Sequence, residues 1–201
     1  MNALNQKIIA CTYVQKEGYK CTQPWFTELK QKDLNPTCII MDGERSVIRA
    51  IKDVWPEAKI QRCLYHIQRE GMRWLRTFPK TRAGQELRQL LKTICAIRNI
   101  KERKQFINKY AQWQKTHKDF VNQLPKGVVA YKDLKKTITL INNSLPNIFY
   151  YLNNQAIHST TNALEGFYSR LKSDYRRHRG LSEKHKISYL KWYCYFRNTE
   201  K

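Results

Sequence analysis

The chain has no run of about 18 apolar residues, so no segment of it reads as a membrane-spanning helix, and Met1-Asn2-Ala3-Leu4 begins no secretory signal. A soluble, intracellular protein is the expectation. There is also no C-x-x-C pair: Cys11, Cys21, Cys38, Cys63, Cys95 and Cys194 each stand singly within apolar patterns. That excludes the dense disulfide framework of a small secreted domain, and most of the thiols are expected to be buried, reduced, small hydrophobes. Acidic residues are scarce as well, with 16 Asp and Glu against 38 Lys and Arg, a formal net charge of +22. An excess of this size is far beyond what solubility requires and marks a polyanion binder, with nucleic acid the leading partner and an anionic membrane surface the second. Repeats and low-complexity linkers are missing too, and a 41% hydrophobic content over 201 residues fits one sizeable domain, or a core with an insertion.

What is present begins with alternating elements. Lys7 to Val14 reads as a strand, and Thr22 to Lys32 as a helix capped by Thr22 with Pro24 in its first turn. A strand from Thr37 to Met41, a helix from about Glu44 to Trp55 and a strand from Ile60 to Cys63 follow. This β-α-β-α-β order is the signature of a sheet with parallel strands. From Tyr65 the spacing turns helical, over 65–77, 84–97, 101–123 and 131–143, with Pro79, Pro125 and Pro146 between. Two closing helices are predicted over about 162–177 and 182–196.

Thr37 to Met41 delivers Asp42 to a sharp Asp-Gly turn, and a carboxylate at the carboxyl end of a buried strand is a metal-binding posture. One Asp cannot hold a catalytic Mg²⁺ without further oxygen ligands. In the helix from Asn162, the residues Leu164, Phe167, Tyr168, Leu171 and Tyr175 form one apolar stripe, and Glu165 lies beside it with Ser169, Lys172 and Arg176. A purely structural reading makes Glu165 the third-position acid of a capping box begun by Asn162. Cys63 and His66 fall on one side of a helix start. No second Cys/His pair completes a zinc site, and structural support of a nearby site outweighs a nucleophilic couple. Basic residues gather in two places, Arg69, Arg73 and Arg76 on one helix, and Arg170, Lys172, Arg176, Arg177 and Arg179 around another. They are the candidate DNA phosphate contacts.

Taken in order, Ile39-Ile-Met-Asp42-Gly43, Gln61-Arg-Cys63-Leu-Tyr-His66, Ser159-Thr-Thr-Asn162-Ala-Leu-Glu165 and His178-Arg-Gly-Leu-Ser182 resemble the DDE transposases of the Mutator-like and related bacterial insertion-sequence superfamily. The resemblance implies an α/β fold, an RNase H-like core interrupted by an all-helical insertion. It divides the chain into a partial core over 1–66, the insertion over 67–158 and closing core helices over 159–201. It makes Asp42 and Glu165 two of three catalytic, metal-holding carboxylates, with Cys63 and His66 the family's C-x-x-H signature. Two Mg²⁺ or Mn²⁺ ions would serve the complete enzyme in nicking transposon ends and joining them to target DNA. A homo-oligomer acting on DNA, cytoplasmic and associated with the nucleoid, is implied as well.

The chain departs from that pattern at its start. The family's first catalytic Asp, on the first core strand, has no counterpart, because no Asp precedes Asp33. Lys7 to Val14 would be the third strand, and in the family's strand order 3-2-1-4-5 its neighbours would be missing. The expectation is a truncated or split-frame piece with little cleavage activity alone, its sheet divided and the Asp42 strand edge open. The alternative is a non-catalytic basic remnant that occupies DNA or pairs with a full-length transposase. An unrelated RNase H-like nuclease would share the core without needing the Ser159 to Glu165 motif.

Overall fold

The computed structural model describes residues 1–178 and 180–199. The fold is mixed α/β and mostly helical, with helices α1 Tyr19–Gln31, α2 Arg45–Val54, α3 Leu64–Leu75, α4 Arg82–Thr93, α5 Ile100–Gln123, α6 Val129–Ser144, α7 Asn162–Tyr175 and α8 Glu183–Thr199, and strands β1 Cys38–Met41 and β2 Lys59–Arg62. The chain forms two compact units: a first from Met1–Thr37, Glu44–Ala58 and the described part of Thr161–Lys201, and a second from Cys38–Gly43 and Lys59–Thr160.

In the first unit, α1 begins a turn earlier than the sequence suggests. The amides of Cys21 and Thr22 both reach the Gly18 carbonyl, at 3.3 and 3.0 Å, so Gly18 is the cap and Thr22 is a buried residue within the helix. Pro24 consequently lies inside α1 rather than in its first turn, and its missing N–H forfeits one main-chain bond. Helix α2 is capped by Glu44, whose carboxylate accepts from the Ser46 amide at 3.2 Å. It buries Ala50, Ile51 and Val54. The α1 side chains meet it directly: Lys30 Nζ donates to the Val54 carbonyl at 2.7 Å, and the Phe26 and Trp55 rings lie 5.2 Å apart. Trp55 Nε1 in turn donates to the Leu34 carbonyl at 2.9 Å, which closes the turn after α1. A second apolar cluster joins Ile8, Phe167 and Leu171 to Cys194, which ties α7 to α8.

Residues 7–14 are not a strand. A strand needs a neighbour for its amides and carbonyls, and among the described residues the sheet contains β1 and β2 alone. At Ile8 a side chain stands in for a neighbour: the Ile8 amide donates to Asn198 Oδ1 at 2.7 Å, and Asn198 Nδ2 donates to the Ile8 carbonyl at 2.9 Å. Beyond Ile8 the segment is open, with Ile9, Cys11, Tyr13 and Val14 exposed. It runs beside a cavity of about 680 Å³ bounded by Trp25, Phe26, Tyr168, Leu171, Tyr175 and Leu190. The expectation that most thiols are buried is therefore corrected. Cys63 and Cys194 are buried, Cys21, Cys38 and Cys95 are half-buried, and Cys11 is exposed on a segment that no strand flanks among the described residues. All six are free thiols.

In the second unit, β1 and β2 pair in parallel with Cys38 opposite Lys59 and Met41 opposite Arg62. A two-stranded sheet is marginal by itself, and here Gln61 secures it. That side chain is wholly buried, donates through Nε2 to the Ile148 carbonyl at 2.9 Å and the Arg62 carbonyl at 2.8 Å, and accepts from the Tyr151 amide at 3.3 Å. The helical spacing of 65–143 is realised within a few residues at each boundary. Leu64, Ile67, Leu87, Leu91, Leu134 and Ile141 fill the main core. Gly71 lets α3 approach closely, since a Cβ there would sit 2.6 Å from Leu91 Cδ1.

On the surface of this bundle Glu86 accepts from Arg82 at 2.7 Å and lies 2.7 Å from Nε2 of the buried His117. His117 and then Arg82 pull the Glu86 carboxyl below its usual range. A carboxyl depressed in the folded state stabilises above its unfolded pKa, and that stabilisation is lost as pH falls through the folded value. Glu86→Gln is therefore expected to lower the melting temperature at pH 7, and the gap from the parent should close as the melts are repeated below about pH 4, the range of ordinary carboxyls.

Candidate metal and DNA site

Asp42 follows directly on β1, exposed at the carboxyl end of the strand, where the main chain turns through Gly43 at φ 99°. Only glycine adopts that conformation at low cost. The turn is also crowded. Arg62, the last residue of β2, crosses it and donates from its guanidinium to the Asp42 carbonyl oxygen at 3.0 Å, and a Cβ at position 43 would collide with that guanidinium. Burial pulls Arg62 below its usual basicity, and the Asp42 carboxylate counters the pull. Arg62 stays protonated at neutral pH, so the turn carries an acid and a fixed cation side by side. Gly43→Ala is expected to cost about 1–3 kcal/mol through backbone strain and displacement of Arg62, measured as a shift in the denaturant midpoint.

The rest of the motif is anchored to the same turn. The Cys63 amide donates to the Met41 carbonyl at 2.8 Å, and the Leu64 amide to the Ser159 carbonyl at 3.0 Å. Cys63 caps α3 and is fully buried, while His66 sits one turn into the helix, half-buried. The link from this motif to the end of β1 is the Cys63 main-chain amide.

Glu165 belongs to the first unit. Thr161, not Asn162, is the cap of α7, so Glu165 stands fourth in the helix and the capping box is not formed. Instead the Thr161 hydroxyl donates to Glu165 Oε1 at 2.8 Å. The carboxylate is half-buried beside Phe167 and Leu171, the buried part of the apolar stripe, whereas Tyr168 of that stripe is 48% exposed. The structural role of Glu165 is thus a bond from the hydroxyl of the cap residue rather than a capping box with Asn162, and an acid in the first turn also suits the helix dipole.

The basic residues divide by their partners. On α3, Arg73 pairs with Glu70 at 2.5 Å and Arg69 lies 4.0 Å from the same carboxylate, while Arg76, at the helix end, meets Asp133 at 3.3 Å. On α7, Arg170 and Lys172 are exposed, as are Arg176 and Arg177 just after it, with Arg177 4.0 Å from Asp174. Arg179 lies outside the described residues. The described ion pair of the α7 group, Arg177 with Asp174, is thus longer than those of Arg73 and Arg76 at α3. Reading the sequence missed Arg62 and Thr161 as site residues. The signal for both was adjacency, Arg62 next to Cys63 and Thr161 one helical turn before Glu165.

Oxygen donors such as Asp42 and Glu165 are the chemistry Mg²⁺ and Mn²⁺ take, and a buried thiol such as Cys63 is not. Each of the two carboxylates, taken by itself, is a donor of the kind a hard divalent ion takes. No described helix is long and apolar enough to cross a membrane. Comparison with curated proteins and with solved structures returned no match. Comparison with protein families matched residues 4–190 to the model described as Transposase, Mutator family. With an Asp-Gly turn, a C-x-x-H helix and a T-x-N-x-x-E helix lying in that order inside the matched span, the chain belongs to the Mutator family of transposases.

Proposed function

We propose that this chain is the catalytic region of a DDE-type DNA transposase with an RNase H-like core, in which Asp42 and Glu165 are metal-holding carboxylates and the α7 cations hold DNA. The observation that carries the reading is the Asp42–Gly43 turn at the end of a parallel strand, braced by Arg62. A pair of divalent ions, when bound, would stabilise the attacking and leaving oxygens of an in-line displacement at phosphorus. The chain's own part is to place the acids and the phosphate backbone. Gly43 and Arg62 fix the Asp42 main chain, Thr161 orients the Glu165 carboxylate through its hydroxyl, and Arg170, Lys172, Arg176 and Arg177 bind phosphates. The Cys63 amide ties the start of α3 to the Asp42 strand, with His66 one turn further along the helix. Self-association of the chain on DNA is part of the same reading.

The competing reading is a basic DNA binder without chemistry. The two part on metal, and calorimetric titration of Mn²⁺ into the parent, Asp42→Asn and Glu165→Gln proteins tests them. Catalytic lineage predicts binding that weakens in both variants. Equal titrations for all three proteins leave only the binder.

A further inference from the structure

Helix α8 has two faces of different kinds. One, with Tyr189, Leu190, Tyr193 and Cys194, packs against Ile8, Phe167 and Leu171. The other is exposed along its length and presents Trp192, Tyr195 and Phe196 at i, i+3 and i+4, exposed by 58%, 57% and 55%. These rings are organised among themselves: Trp192 and Phe196 stack with centroids 5.6 Å apart and an interplanar angle of 25°, and Tyr195 stands edge-on to both. Lys184 and Lys191 are exposed on the same side, and from Lys184 to Thr199 the sequence holds no Asp or Glu. None of these residues takes part in the metal and DNA site described above.

We infer that this face is a stacking platform for unpaired DNA bases. Aromatic faces set beside cations are what single-stranded nucleic acid takes: the rings accept any base by stacking and the lysines follow the phosphates. A partner protein face would have to bring its own acids to meet Lys184 and Lys191, which a second copy of this helix lacks between residues 184 and 199. Duplex DNA keeps its base faces covered, so the platform discriminates by strand state rather than by sequence. The inference rests on the DNA-binding reading given above and adds to it a surface for strands that have been opened or nicked.

The test is fluorescence anisotropy with a labelled oligo(dT) and a labelled duplex of equal length, on the full chain at fixed salt. The triple variant Trp192→Ala, Tyr195→Ala, Phe196→Ala is expected to lose about a hundredfold in affinity for oligo(dT), from stacking worth at least about fivefold per base, and to hold the duplex within about twofold. Arg176→Ala should weaken the duplex instead. Intrinsic fluorescence reads the same contact without truncating the rings. Trp55 and Trp113 are buried and Trp25 and Trp74 half-buried, so oligo(dT) should quench the parent and leave Trp192→Phe nearly unchanged while that variant still binds. Unchanged oligo(dT) affinity in the triple variant overturns the inference, as does an equal loss for both DNA forms. A change of sedimentation coefficient without loss of oligo(dT) binding would assign the face to a second copy and overturn it too. If the parent binds neither form, the DNA-binding reading itself falls, a result distinct from the others.

Discussion

Gln61→Leu is expected to destabilise the second unit by about 2–4 kcal/mol, seen as a lower denaturant midpoint with an unchanged slope. The side chain is wholly buried and its amide satisfies the Ile148 and Arg62 carbonyls and the Tyr151 amide. Leucine matches its size but offers none of those bonds, and each buried main-chain group left unmet costs about 1–3 kcal/mol. Gln61→Glu should be worse, since a carboxylate has no donor for the two carbonyls and would be charged in a dry place. Because Gln61 precedes Arg62 in β2, the loss should reach the site. Arg62 would no longer be held across the Asp42 turn, and Mn²⁺ affinity should fall in Gln61→Leu although no proposed metal donor has changed. A variant of full stability would show that the strand pair does not depend on this clamp.

Asp42→Asn is expected to lower Mn²⁺ affinity by on the order of a hundredfold while leaving the melting temperature within a degree or two. Replacing groups that merely support a metal ligand costs 10–100-fold, and a proposed ligand carboxylate should cost at least as much. The fold should largely tolerate the change because Asp42 is exposed and asparagine keeps the main-chain oxygen that accepts from Arg62. Removing the charge also leaves Arg62 without the carboxylate that supports its protonated form, so the local field turns positive and repels a cation further. Glu165→Gln should show a loss of similar size, and Thr161→Val a smaller one, because the hydroxyl that fixes Glu165 Oε1 is then gone. Unchanged Mn²⁺ affinity in Asp42→Asn would remove this residue from the metal site.

The features legible in the sequence share a local cause. The Asp-Gly turn, the parallel β1 and β2, and the helices of the second unit follow from apolar spacing and turn chemistry within some twenty residues. The family, too, was readable from motif order, and the match over residues 4–190 bears it out. What was not legible depends on partners. The alternation of Lys7 to Val14 reads as a strand in isolation, but a strand exists only with a neighbour, and here the Asn198 amide supplies a single pair of bonds. Residue types near Asn162 fit a capping box, yet the helix starts one residue away from where that motif needs it. Propensity cannot see so small a shift. The role of Arg62 depends on a side chain crossing between two strand ends, which no periodicity records. The exposed aromatic face of α8 was written in the i, i+3, i+4 spacing, and only burial shows that its rings face outward.

The central claim, that Asp42 and Glu165 hold a divalent metal, is tested most directly by metal-centred cleavage of the protein itself. Fe²⁺ loaded in place of Mg²⁺ and treated with ascorbate and peroxide should cut the main chain beside Asp42 and beside Glu165, with fragments mapped by mass spectrometry, and both cuts should vanish when excess Mg²⁺ competes or when Asp42 is replaced by Asn. Cleavage elsewhere, or cuts at these positions that persist in Asp42→Asn, would contradict it.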